Sequence, residues 1–125
     1  MIAFAKKRAE TLARTEEFKH DAQGYGENLA WNWSSRGPSP VAGSGPVKSW
    51  YDEIKDFDFN APDDQRRSPI HKVGHFTQVV WKGSQKVGCA QAAAIGGNRG
   101  GVYTVCNYEP AGNYLREFGK NVGRP

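Results

Sequence analysis

Gly74-His75-Phe76-Thr77-Gln78-Val79-Val80-Trp81, carried on through Val87-Gly88-Cys89-Ala90, is the stretch from which the fold is best read. It holds a histidine, a hydrogen-bonding Thr/Gln pair, a bulky apolar cluster and a cysteine within seventeen residues. Phe76, Val79 and Val80 suit either a short helix or a strand. Helix is favoured, because His75 and Val79, like Phe76 and Val80, then share a face. Beyond Trp81, Val87 to Ala94 and Val102 to Tyr108 are short runs separated by Gly96-Gly97-Asn98-Arg99-Gly100-Gly101, which signals a hairpin. Setting Cys89 opposite Cys106 centres the pairing between Gly97 and Asn98, inside that turn. The cysteines then become cross-strand neighbours, with Cβ atoms about 4.5 to 5.5 Å apart before bridging. A disulfide fits this geometry and would contribute roughly 3 kcal/mol by loop closure; two buried thiols are the alternative.

Outward from this centre, Ala5, Ala9, Leu12 and Ala13 fall at helical spacing with Lys6, Lys7, Glu10 and Arg14 mostly elsewhere, which predicts an amphipathic helix from Ile2 to about Arg14. It starts without a lead-in turn, as though inside a larger domain. Phe18 to Trp31 joins a loop carrying Gly24 and Gly26 to a short apolar run, and the two glycines would let His20 and Glu27 fold toward one site. The run Gly24-x-Gly26-x-x-Leu29 lacks the last glycine of a dinucleotide fingerprint. Arg36 to Pro46 reads as an exposed loop ending in a helix start, with Ser44 or Gly45 as cap and Pro46 in the first turn. Val47, Trp50, Tyr51 and Ile54 make the apolar stripe of that second helix, with Glu53 on its flank. Asn60 to Lys72 reads as loop, and the tail from Pro110 to Pro125 as surface-packed coil.

Length and composition bound the rest. A chain of 125 residues, 38% apolar and 24% charged, suits one hydrophobic core with many turns. No apolar window is long enough to span a membrane, and Lys6-Lys7-Arg8 interrupt the N-terminus too early for a secretory signal. The net charge of +4 comes from short basic clusters among acids. That pattern is an ordinary solvated surface, with an anionic glycan or lipid surface as the lesser partner reading, and it carries no nucleic-acid motif.

Four residues stand out as chemistry: His20, Glu27, Glu53 and His75. Two imidazoles and two carboxylates can bind zinc, pair with one another, or supply a base to a metal-bound water. Their spacing matches no single-helix metal motif, so separately satisfied or solvated side chains are the competing reading.

Four segments carry a resemblance. Gly26-Glu27-Asn28-Leu29-Ala30, Trp50-Tyr51-Asp52-Glu53-Ile54, Gly74 to Trp81, and Val105-Cys106-Asn107-Tyr108-Glu109-Pro110-Ala111-Gly112-Asn113-Tyr114 resemble the signature segments of the CAP superfamily. Its members include cysteine-rich secretory proteins, venom antigen 5 and plant pathogenesis-related proteins. The resemblance runs in order from about Phe4 to Val122. It implies an α+β fold, an α-β-α sandwich with a small central antiparallel sheet between helical layers. It implies one domain over residues 1–125 that lacks the family's usual first helix. It also implies a central cleft in which His20, Glu27, Glu53 and His75 gather, with His20 and His75 as ligands of a divalent metal such as zinc. The family's corresponding cysteines commonly bridge, which supports Cys89–Cys106. With that pair the resemblance implies an extracellular or secretory-pathway location, since disulfides rarely persist in the cytosol. Asn32-Trp33-Ser34 is a glycosylation sequon that a core-packed Trp33 would hide.

Three functions follow from the resemblance. The first is a secreted binding protein for sterols or other lipids, using a groove near residues 41–59 in which Phe57 and Phe59, alternating with acids, are the partly exposed candidates. The second is a metal-dependent hydrolase or peptidase with Glu27 or Glu53 as general base. The third is an immune or defence interaction module whose tetrad only holds the cleft together.

Overall fold

The computed structural model describes residues 1–33, 44–59, 70–94, 101–114 and 116–124. Helix α1, Ile2–Thr15, runs where the apolar spacing places it, and Glu16 ends it in a left-handed conformation with its N–H on Leu12 O. Strand β1, Gly26–Asn32, follows an irregular segment. Helix α2, Ser44–Tyr51, tightens into a 3-10 turn at Asp52–Asp56. Helix α3 is Ile70–Val80, strands β2 and β3 are Lys86–Ala93 and Val102–Glu109, and a single turn, α4, is Phe118–Asn121.

The strands form an antiparallel sheet in the order β1-β3-β2. Cys89 lies opposite Cys106 in the β2–β3 register, and the two are joined by a disulfide. The turn between these strands falls outside the described residues. Helix α1 covers one face of the sheet. Its Ala5, Ala9 and Leu12 pack with Leu29, Ala94, Tyr103 and Val105 in one core cluster. Gly88 lets the helix start come this close: a Cβ there would sit 2.8 Å from backbone atoms of Met1 and Ile2.

On the other face, Trp50 packs with Cys106 and Tyr108, and its indole N–H donates to Leu29 O. Beyond it lies a third cluster of Phe57, Val73, Phe76, Trp81, Phe118 and Val122. The result is the expected three-layer α+β sandwich. Both shared faces of α3 are realised: Val79 packs on the Trp50 cluster and His75 stacks on the Trp50 ring, while Phe76 and Val80 face the Phe57 cluster.

Several sequence expectations are extended or corrected. Gly26–Asn32 is a strand, buried on both faces at Asn28 and Leu29, so it lacks the alternation that marks a half-buried strand. Helix α3 begins at Ile70, inside the segment expected to be loop; Pro69 before it is a helix-start signal that serves equally as a loop signal. Val47 and Tyr51 are exposed on α2 although assigned to its apolar stripe. The helix tightens after Tyr51 into the 3-10 turn, where Ile54 packs against the Phe57 cluster. The tail is no surface coil, because Phe118 and Val122, one turn apart, are buried. One turn is too short for a periodic signal. Trp33 is 62% exposed and does not hide Asn32, itself exposed at the end of β1; Ser34 lies outside the described residues.

Candidate functional site

Consecutive residues of a strand point to opposite faces, and β1 uses this at the edge of the sheet. Glu27 bonds to Arg8 of α1, while the next residue, Asn28, donates to His75 O of α3 and to the Tyr108 hydroxyl. A cleft of about 380 Å³ lies between these helical layers, lined by Phe18, His20, Glu27, Asn28, Gly74, His75 and Asn113. Glu53 stands behind His75. All four residues of the expected tetrad therefore come together, as two His–Glu pairs.

In the first pair, His75 Nδ1 lies 2.9 Å from Glu53 Oε2, and the Phe76 N–H donates to Glu53 Oε1 at 3.0 Å. The imidazole is stacked on Trp50 with ring centres 6.0 Å apart. In the second, His20 Nδ1 lies 3.1 Å from Glu27 Oε1. His20 belongs to the irregular segment after α1, and its side chain is 60% exposed. A carboxylate on each Nδ1 fixes that nitrogen as the donor and leaves Nε2 as a lone-pair donor, the arrangement that orients metal-binding histidines.

Glu27 has a more crowded environment. Its side chain is 2% exposed. Oε2 accepts from Arg8 Nε at 3.0 Å and Asn107 Nδ2 at 3.0 Å, and Oε1 accepts from His20, from Arg8 Nη2 at 3.2 Å and from the Asp21 N–H at 3.3 Å. Burial by itself would raise the carboxyl pKa. The bonds from His20, Arg8 and Asn107, with the charge of Arg8, outweigh it and bring the pKa down to about 2. Glu27 is thus a fixed anion, whereas a general base works best with a pKa near the working pH.

Arg8 and Asn107 were not picked out from the sequence. Arg8 carries a signal: it falls three residues after Ala5 and four before Leu12, a charged residue on the buried stripe of α1. Asn107 lies opposite Glu27 in the β1–β3 register, a pairing that becomes visible only once the strands are aligned.

The wall beside His75 is tied down by the motif's own polar pair. Thr77 and Gln78 are buried; Thr77 bonds Asn113 Oδ1, and Gln78 Oε1 accepts from the Gly112 N–H at 3.0 Å. Asn113, in a left-handed conformation, donates to Gly74 O at 2.9 Å. The proposed groove residues sit elsewhere. Phe57 is only 6% exposed and belongs to the core, which corrects the expectation of partial exposure; its ring packs on Phe59 and Phe76. Phe59 is half-buried under Arg124, 5.4 Å from its guanidinium carbon. Sequence alternation with acids suggested a surface pair, but the chain after the 3-10 turn directs Phe57 inward.

Residues 1–108 match the model of the cysteine-rich secretory protein family, CAP. The chain belongs to the CAP family. It is similar to pathogenesis-related protein 1 of Arabidopsis thaliana, with 36% identity over 94% of this chain and 65% of that protein. Among solved structures it resembles BmVAL-1, with a TM-score of 0.74 and 31% identity over 99% of this chain and 62% of that one. It also resembles NaASP2 in a crystal structure with Zn2+, with a TM-score of 0.65 and 28% identity over 90% of this chain and 60% of that one. The chain thus spans about two thirds or less of the length of these CAP proteins. Among its described residues, no group of three or more His, Cys, Asp and Glu is arranged to hold a metal ion. No helix among them is long and apolar enough to cross a membrane.

Proposed function

We propose that this CAP domain is a binding module of the extracellular or secretory compartment, with a cleft that takes a divalent cation such as zinc through His20 and His75. The observation that carries this reading is the backing of each imidazole by a carboxylate at Nδ1. Two histidines give a cation two protein ligands, so water or a bound molecule completes the shell, and binding should be weaker than at a three-ligand site. The NaASP2 structure with Zn2+ supports the choice of metal, and the Cys89–Cys106 bridge supports an oxidising compartment.

The second ligand class is a sterol or other lipid, as the family resemblance implies. Its physical support is an aromatic group around Phe76: exposed Tyr51, half-buried Phe59 and buried Phe57 each have a ring on Phe76. The hydrolase reading is the weaker one because Glu27 is saturated with donors, and both oxygens of Glu53 hold other groups.

Calorimetric titration with zinc tests the metal site. Wild-type protein should bind one equivalent, and His20→Ala with His75→Ala should abolish binding; binding that survives the double change removes the site. For the lipid, a sterol-binding assay on Tyr51→Asp and Phe59→Asp should show a loss of affinity. Unchanged affinity in both would rule out this surface.

A further inference from the structure

We propose that Arg8 is a positioning residue for the cleft, holding His20 in place by gripping its carboxylate partner and its loop together. The metal arm of this inference rests on the binding reading above. His75 needs no such device, because it sits within an eleven-residue helix and stacks on a buried tryptophan. His20 lies on irregular chain between α1 and β1, largely exposed, and requires tethers from outside the loop.

Arg8 supplies them from a rigid position. It projects from the second turn of α1, between buried Ala5 and Leu12, and is itself buried. Its Nε and Nη2 donate to the two oxygens of Glu27, and Nη2 also donates to Lys19 O at 2.8 Å, the carbonyl directly before His20. Glu27 in turn accepts from the His20 ring and from the Asp21 N–H, directly after His20. The histidine is therefore bracketed: the residue before it is bound to Arg8, and its ring and the residue after it are bound to the carboxylate that Arg8 fixes. Nη2 by itself serves both Glu27 Oε1 and Lys19 O, and the planar fork adds Nε to hold Glu27 Oε2 at the same time. A lysine keeps the charge but presents one nitrogen, so it cannot reproduce the two-nitrogen grip on Glu27 together with the bond to Lys19 O.

Arg8→Lys therefore separates positioning from charge. In the metal-free variant, NMR should show the backbone order parameters of Lys19 to Asp21 falling from about 0.85 to below about 0.6. The His20 ring should lose its single Nδ1–H tautomer, while His75 keeps its own. Zinc should bind about tenfold more weakly, as expected when an outer-shell partner is lost. A folded variant in which His20 order, tautomer and zinc affinity match wild type overturns the proposal.

If the variant does not fold, the wild-type protein decides. An Arg8 Nε–H that exchanges at least tenfold more slowly than that of Arg14, with Lys19 to Asp21 rigid, supports the proposal, and equal exchange overturns it. Should wild-type protein bind no zinc, the metal reading fails while the metal-free measurements still judge Arg8.

Discussion

The two halves of the cleft present the same pair of side chains on different foundations. His75 and Glu53 are joined between elements already packed together: α3 buries Val73 and Phe76, and the 3-10 turn is followed directly by buried Phe57. His20 and Glu27 are joined through a buried ion pair, with the histidine on an irregular segment. Apolar packing positions the first pair and electrostatics the second. Two like His–Glu pairs at one cleft are therefore held with different dependence on charge, and the halves should respond differently to the same change.

The largest contrast should come from the carboxylates. Glu27→Ala leaves the buried Arg8 guanidinium without its anion, so urea denaturation should show a loss of about 3 to 5 kcal/mol, typical of a broken buried pair. Glu53→Ala, next to a half-buried ring and one N–H, should cost about 1 to 2 kcal/mol. Equal losses would break the comparison.

Acid should reveal the same asymmetry more gently. The folded-state pKa of Glu27 is depressed to about 2 from 4.5. Its contribution is complete above the unfolded value and is lost as pH falls from about 4.5 through about 2. Stability measured across that window should decline for wild type, and less steeply for Glu27→Gln. An identical pH slope in the two proteins would contradict the assigned role of Glu27 as a buried anion.

The smallest effects concern the rings. His75→Ala removes a stacking partner of Trp50 and should lower stability by roughly 1 kcal/mol. His20→Ala truncates an exposed ring and leaves Glu27 its bonds to Arg8 and Asn107, so it should stay within about 0.5 kcal/mol of wild type. Thermal unfolding of the two metal-free variants checks the order, and a reversed order would show that His20 is the structural member.

The first helix, α3 and the hairpin were legible because each shows its own signal: apolar positions at helical spacing, or two short runs around a glycine-rich turn. Other parts carry no such local signal. Strand β1 is buried on both faces, and α4 is a single turn, so neither offers a period to detect. The tetrad was legible through four motifs that resemble one family, since spacing alone left each histidine as readily solvated as functional. Phe57 and Phe59 differ in burial although they lie two residues apart in a symmetric local pattern and both rings reach Phe76; the direction of the chain leaving the 3-10 turn separates them.

The sequence by itself determined the two main helices, the cross-strand position of Cys89 and Cys106, and, through four motifs that resemble one family, the four candidate cleft residues. The helices and the cysteine register reside in residue type and short-range spacing, and the cleft candidates in the resemblance of the motifs. Only the tertiary structure decided how the four are paired, that Glu27 is held as an anion, and that Arg8 and Asn107 hold it. Arg8 and Glu27 are nineteen residues apart, and Asn107 and Glu27 eighty. Their contact exists because α1 lies against a sheet in which β1 pairs with β3, and no local pattern encodes that meeting.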